Sequence, residues 1–379
     1  MIPSLHISGF KLFRDLELPK LGSLNLFVGK NNTGKTCLLE AVELYSKGTP
    51  WSILSVGSRR EPDAVQRRKF DNFDVFNLED SLRPLMNLFH SERGHILRPD
   101  ILLTAGCPDA DFKLQCERSI ADILEHESRF AEGGELEPSL RERHLHHLLQ
   151  DGFVLTRGGK RSRPLVFAGY LRNPNIPGEM FKEEGWVHPD SIPLAFLPAQ
   201  GPSNNDAKKM WDDATRADKG DIIVEWLRFI EPRLRDLRYI GDSKSGADLP
   251  NLKINGDRGW TPLSAMGDGL THLFHIGLAM ANASGGILLI DEFENGLHWE
   301  VQEQLWRALF EAANQFGVQV FATTHSTDCI RGFLAAQSEV LKLGENFVYR
   351  LERSGDDVYA LDLPSENLGA ALRQQIEVR

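Results

Sequence analysis

The chain has 379 residues, 43 Lys and Arg against 54 Asp and Glu for a formal net charge of −11, 41% hydrophobic and 26% charged residues, and a mean hydropathy of −0.30. This soluble, globular composition excludes disorder as the main state, leaves no apolar run near the roughly 18 residues of a membrane span, and makes the chain as a whole a poor general binder of polyanions. Cys37, Cys107, Cys116 and Cys329 include no Cys-x-x-Cys pair, and the N-terminus has no basic-then-apolar leader. Neither a disulfide framework nor export is indicated, and a reducing cytoplasm is the expected setting.

At about 150 residues per domain the length allows two or three domains, or one α/β unit with an insertion. Residues 4–9 and 23–28 read as short strands, and the second runs straight into Gly29-Lys-Asn-Asn-Thr-Gly-Lys-Thr36. From Thr36, the spacing of Leu38, Leu39, Val42 and Tyr45 predicts a helix that stops at Gly48. Residues 50–190 are the least ordered in pattern. They hold strand-like runs at 101–106 and 152–170, a hairpin signal at Arg157-Gly-Gly-Lys160, and a charged helical pattern over 116–150, and are read as an inserted mixed subdomain. After Pro193 come a buried strand at 194–198, an amphipathic helix over 221–237 interrupted by Pro232, and a hairpin at Asn255-Gly256. Two βα units follow, strand GILLIDE with a helix from Trp299 and strand VQVFATT with a helix from Thr327, then a hairpin and a short final helix. Apolar runs that each end in polar residues and then a helix imply a mostly parallel sheet.

Four motifs carry chemistry. Gly29 to Thr36 has the phosphate-binding spacing: main-chain N–H groups and a helix N-terminus wrap a β-phosphate, Lys35 adds positive charge, and the Thr36 hydroxyl binds magnesium. Ile287-Leu-Leu-Ile-Asp291-Glu292 is a buried strand ending in two carboxylates, of which Asp291 would hold magnesium through water and Glu292 would act as general base on the attacking water. Ser264, with Gly267 and Gly269 ahead of an apolar helix, reads either as a second anion site or as an N-cap with a glycine turn. His325, in VFATTHS, sits where an imidazole can reach a γ-phosphate, although a lone histidine at a strand end is commonly structural.

In this order the four motifs resemble an ABC-type ATPase. The opening ISGFKLFRDLEL, the pair Asn31-Asn32, PLSAMGDGL in place of LSGGQ, LLIDEFENGLH and VFATTHS are similar to the SMC-like and overcoming-lysogenization-defect-like branch, the AAA15/AAA21 ATPases of bacterial anti-phage defence. The resemblance covers residues 1–48 and about 190–379 and implies an α/β P-loop NTPase head with a mixed, largely parallel sheet and a β-rich N-terminal part. The head would comprise an N-terminal lobe at 1–49 and a C-terminal lobe at 191–379, split by an α+β insertion at 50–190 suited to sensing or partner docking. It places ATP on Gly29, Asn31, Asn32, Thr33, Gly34, Lys35, Thr36 and Cys37, with Ser264 and Gly267 serving the nucleotide of the opposite protomer. Magnesium falls to Thr36, Asp291 and Gln200, and catalysis to Glu292, Lys35, His325 and Ser264; Gln200, which would also contact the nucleotide, is the candidate Q-loop glutamine although its flanks depart from transporter Q-loops. Residues 294–298 correspond to the D-loop.

The nuclease members of that branch carry a C-terminal Toprim domain, and only about 40 residues follow the helix after His325, too few for one. Asp356, Asp357 and Asp362 read as a solvated turn. The expectation is therefore an ATP- and magnesium-dependent homodimer controlling a separately encoded nuclease or toxin, without a membrane and with no nucleic-acid contact indicated by charge. Two other readings remain at this point, a DNA-clamping repair ATPase and a nucleotide-gated scaffold with little turnover. His144, His146 and His147, the basic runs at 59–60, 67–69 and 157–163, and Trp226, Phe229 and Trp306 are read as solvated faces or core aromatics.

Overall fold

A computed structural model describes residues 1–59, 87–92, 95–96, 100–106, 111–116, 153–157, 160–162, 192–228, 231–241, 248–339, 344–374 and 378. The strands, in chain order, are β1 (Leu5–Phe10), β2 (Phe13–Leu18), β3 (Leu24–Val28), β4 (Ser91–Glu92), β5 (His95–Ile96), β6 (Asp100–Thr104), β7 (Phe112–Cys116), β8 (Phe153–Arg157), β9 (Lys160–Ser162), β10 (Leu194–Leu197), β11 (Leu234–Gly241), β12 (Asp248–Ile254), β13 (Thr261–Pro262), β14 (Ile287–Ile290), β15 (Gln319–Thr324), β16 (Asn346–Ser354) and β17 (Asp357–Asp362). The described helices are α1 (Lys35–Lys47), α2 (Pro50–Ser58), α3 (Asn204–Arg216), α4 (Gly220–Leu227), α5 (Asp268–Asn282), α6 (Trp299–Phe316), α7 (Thr327–Glu339) and α8 (Ser365–Arg373).

Every residue of β3, β14 and β15 is buried, so these strands need cover on both faces, which is the condition that favours a parallel sheet flanked by helices. They lie in a sheet of order β10-β14-β15-β3-β16-β17, parallel throughout except for the β16–β17 hairpin. Alternate residues feed two cores: Phe27, Ile287, Leu289 and Phe321 pack toward α1, while Leu26, Val28, Leu288, Ile290, Val320 and Ala322 pack toward α5, α6 and α7. Phe27 stacks between Phe321 and Tyr349, with centroids 6.3 and 6.0 Å apart, which keys β3 to its two neighbours.

The second layer is antiparallel, in the order β2-β1-β6-β7-β8-β9. Residues 50–190 were expected to be an inserted subdomain, yet β6 to β9 continue the sheet begun by β1, with His6 opposite Thr104 and Ile7 opposite Leu103, while β4 and β5 pair with each other. Ile101, Leu103, Phe112, Leu114 and Leu155 share one core with Leu38, Val42 and Phe27, because an alternating strand with one apolar face must cover it against the nearest apolar surface, here α1. The hairpin at Arg157↔Lys160 forms as read. Arg157, however, turns inward: its Nη2 donates to the Ser46 carbonyl at 3.0 Å, at the negative end of α1. The helical pattern beyond Cys116, the three histidines at 144–147 and the basic run at 67–69 lie outside the described residues.

The expected helix over 221–237 divides. Helix α4 ends at Leu227, and Leu234–Gly241 becomes β11, paired antiparallel to β12 with Leu237 opposite Leu252. Pro232 cannot continue the helical hydrogen bonds, and Leu234 and Leu237 gain burial as strand residues, so tertiary pairing overrides the helical spacing. The hairpin at Asn255-Gly256 forms between β12 and β13, with Leu252 opposite Thr261.

Candidate nucleotide site

β10, β14, β15 and β3 are adjacent and parallel, so their carboxyl ends lie side by side, and each ends in one of the predicted motifs. Ligands of open parallel sheets bind at that edge. The chain leaves β3 through Gly29 (φ 153°), Asn32 (φ 63°) and Gly34 (φ 96°), a loop that needs residues tolerating positive φ. A Cβ at position 29 would lie 2.7 Å from the Leu351 carbonyl oxygen of β16 and 2.8 Å from Thr33 Oγ1, so the approach of a neighbouring strand demands glycine. Thr33 Oγ1 donates to the Lys30 carbonyl at 2.9 Å and closes the loop, and α1 begins at once, turning the N–H groups of its first turn toward it. Asn31 and Asn32 are exposed on the loop. The Cys37 side chain is buried in the core, so its contribution to a nucleotide is restricted to its main-chain N–H.

Lys35 Nζ crosses the loop and donates to the carbonyls of Gly29 at 2.7 Å and Lys30 at 2.9 Å. Burial pushes its pKa down, and the carboxylates of Asp291, Glu292 and Glu294 oppose that shift. Its present partners are two neutral carbonyls, weaker acceptors than a phosphate oxygen. Asp291 is buried between two hydroxyls: Thr36 Oγ1 donates to its Oδ2 at 2.9 Å and Thr323 Oγ1 to its Oδ1 at 2.6 Å. An alcohol and a carboxylate oxygen in contact at the mouth of a phosphate loop form a hard-oxygen pair that suits Mg²⁺.

Glu292 has φ 54°, a left-handed conformation unusual for glutamate. Its N–H donates to the same Thr323 Oγ1 at 2.9 Å, and the Phe293 N–H donates to the Thr323 carbonyl at 3.0 Å, so the end of β14 is tied to β15 across the kink. Phe293 stacks on buried Trp306 at 3.8 Å, and the Trp306 indole N–H donates to the Cys329 carbonyl at 3.1 Å, which fixes α6 and α7 beneath the site. The kink brings a further acid to His325: Glu294 Oε1 accepts the His325 main-chain N–H at 2.9 Å and lies 3.1 Å from its Nδ1, while Glu292 Oε1 is 3.9 Å from the same nitrogen.

Ser264 occupies a 3₁₀ turn, Leu263–Met266, and is exposed together with Ala265, Gly267 and Asp268; Gly267 rather than Ser264 caps α5. A Cβ on Gly269 would lie 3.2 Å from the Gly296 carbonyl oxygen, and one on Gly296 would lie 3.5 Å from Asp268 Cβ. The turn at 264–269 and the segment at 294–298 therefore form one continuous surface. Behind it, buried His272 meets the Phe293 carbonyl at 3.1 Å, with its pKa lowered by burial. His275 packs on the turn that follows Gln200, and burial, with a smaller contribution from His272, lowers its pKa to about 4. Gln200 is exposed in that turn, at the carboxyl end of β10 beside Asp291, whose N–H donates to Leu197.

The strands thus gather Gly29 to Thr36, Asp291, Glu292 and His325 at one edge, while Ser264 and Gly267 face outward. Sequence reasoning missed Thr323 and gave no role to the Glu294 side chain. Thr323 is a fully buried hydroxyl inside an apolar strand, a position where a polar side chain needs partners, and that was the available signal.

Residues 1–127 match a family described as "AAA ATPase domain", and residues 227–329 match one described as "AAA domain, putative AbiEii toxin, Type IV TA system". The chain is an ATPase, similar over those two stretches to the AAA15 and AAA21 families. The ATPase is 24% identical over 341 residues to an ATP/GTP phosphatase of Helicobacter pylori, across 87% of its own length and 86% of that relative's. A 45-residue stretch, 12% of the ATPase and 20% of its counterpart, is 44% identical to an uncharacterised protein of Methanocaldococcus jannaschii. A solved SMC head bound to the C-winged helix domain of ScpA has the same fold, with TM-score 0.52 and 13% identity over 96% of this chain and 98% of that one. No helix among the described residues of the ATPase is long and apolar enough to cross a membrane.

Proposed function

We propose that the ATPase binds Mg-ATP at the phosphate loop, dimerises head to tail around two nucleotides, and couples that closure to a separately encoded effector, a nuclease or toxin, in bacterial defence against phage. The observation that carries this reading is the division of the machinery. Lys35, Thr36, Asp291, Glu292 and His325 converge at one sheet edge, whereas the turn at Ser264 and Gly267 is exposed on the outer surface, with nothing within 4 Å of where a Gly267 Cβ would lie. A second copy supplies the natural occupant, its γ-phosphate meeting the serine hydroxyl and the N–H groups at the start of α5.

In this scheme Thr36 and Asp291 would hold Mg²⁺, with Gln200, in the turn after β10, as a further candidate ligand, and the ion would neutralise phosphate charge. Lys35 leaves its two carbonyls for the β- and γ-phosphates. Glu292, on its left-handed residue, accepts a proton from the attacking water, and His325 lies against the γ-phosphate. The effector and the defence setting draw support from the family description that names a toxin and a toxin–antitoxin system, and the net charge of −11 disfavours a general DNA clamp.

Glu292→Gln should retain ATP binding, lose hydrolysis by roughly 10²- to 10⁴-fold, and accumulate a dimer or larger assembly when Mg-ATP is added. Light scattering coupled to size exclusion reads the mass; a monomer at all ATP concentrations would refute the shared-site reading.

A further inference from the structure

Glu294 lies in the segment that corresponds by resemblance to the D-loop, and its side chain is turned into its own protomer. Its side chain is only 10% exposed, and a carboxylate is seldom buried without specific work to do. Oε1 accepts the His325 main-chain N–H at 2.9 Å and stands 3.1 Å from His325 Nδ1. Oε2 is buried with no hydrogen-bond partner. The carboxylate also acts on Lys35, which it helps to keep protonated. The turn that aims it here is built by three neighbours: the left-handed Glu292, the Phe293–Trp306 stack, and the Asn295 side-chain amide donating to the Ala199 carbonyl.

We infer that Glu294 is a positioning residue for His325, acting within its own protomer: its carboxylate fixes both the backbone and the ring of the histidine, so that Nδ1 carries the proton and Nε2, on the opposite edge of the ring, presents to the nucleotide. A carboxylate beside one imidazole nitrogen selects the tautomer with hydrogen on that nitrogen. The resulting Glu294–His325 pair is oriented before nucleotide arrives, which lowers the ordering cost at the moment of reaction. The inference rests on the proposed role of His325, and its test separates the two.

The protein labelled with ¹⁵N-histidine, without nucleotide, reports the ring state directly, with His325 assigned by its loss in His325→Gln. Wild type should show His325 in the Nδ1–H tautomer, and Glu294→Ala should shift it toward the commoner Nε2–H form while the other histidine signals and the thermal midpoint mark a folded protein. An Nε2–H signal in wild type, or an identical signal in both proteins, overturns the positioning role whatever the ATPase assay shows. In turnover, Glu294→Ala should lower kcat by about 10- to 100-fold with ATP affinity changed less than about twofold. Glu294→Gln, whose amide oxygen accepts the same N–H groups, should recover most of the rate. Glu294→Ala combined with His325→Ala should be no slower than His325→Ala alone; multiplicative losses would mean that the two residues act independently. If the tautomer shifts as stated but wild type releases no phosphate from ATP, the proposed function fails and the Glu294–His325 pairing stands.

Discussion

Thr323→Val is the sharpest perturbation the site offers, because it replaces one methyl-sized hydroxyl by a methyl and leaves the strand-forming β-branch intact. The Thr323 side chain is fully buried, donates to Asp291 Oδ1 at 2.6 Å and accepts the Glu292 N–H at 2.9 Å. Valine can do neither. The Glu292 N–H then lies without an acceptor at a residue already held in a left-handed conformation, and Asp291 loses one of its two hydroxyl donors, keeping only Thr36. A buried unsatisfied group costs about 1–3 kcal/mol and a hydrogen bond to a charged partner about 1.5–3 kcal/mol. The two losses share one hydroxyl and are not additive, so a destabilisation of about 2–3 kcal/mol is expected. Thr323→Ser keeps the hydroxyl and deletes one buried methyl, which should cost about 1 kcal/mol. Urea unfolding followed by tryptophan fluorescence measures the difference in midpoint. Phosphate release at saturating Mg-ATP should fall by about 10- to 100-fold in the valine variant, since both acids lose their support, and remain within a few-fold of wild type in the serine variant. Equal stability and turnover in the valine and serine variants would refute the idea that this hydroxyl organises the two carboxylates.

Lys35→Ala should abolish binding of a fluorescent ATP analogue, whereas Ser264→Arg, on the exposed turn, should leave binding by the monomer within a few-fold of wild type and block hydrolysis; full turnover in the arginine variant would remove Ser264 from the active assembly. His275 gives a pH signature. Its folded pKa of about 4 lies below its ordinary 6.5, so between these values the unfolded chain takes up a proton that the folded one refuses. The contribution is present in full above about pH 6.5 and is lost as the pH falls toward 4. His275→Gln should therefore flatten the decline in unfolding midpoint over that window. His272, shifted in the same direction by burial, keeps part of the slope, and an unchanged pH profile in His275→Gln would contradict the burial argument.

Much of this site is written locally. Lys35 and Thr36 stand at the start of a helix because a glycine loop precedes them, and Asp291, Glu292 and His325 each follow an apolar run long enough to be a strand; neighbours along the chain suffice to see that. The β16–β17 hairpin and the Asn255-Gly256 hairpin are equally local. Helix α4 was overextended because the spacing of Leu234 and Leu237 satisfies a helix and a strand alike until the partner strand β12 is present. Strands β6, β7 and β8 could not be assigned to the sheet of β1, since an alternating strand declares that it has an apolar face without declaring which surface will cover it.

The sequence by itself therefore determined which side chains stand at the ends of which elements, and hence that phosphate-binding and carboxylate chemistry is present. Tertiary structure alone decided that β14, β15 and β3 are neighbours, that Thr323 bridges Asp291 and Glu292, that Glu294 turns inward to His325, and that Ser264 faces outward. Periodicity and capping act over one or two turns of chain. The pairing of strands hundreds of residues apart is settled by how two apolar faces are jointly buried, an energy that belongs to the assembled layers and to no single segment.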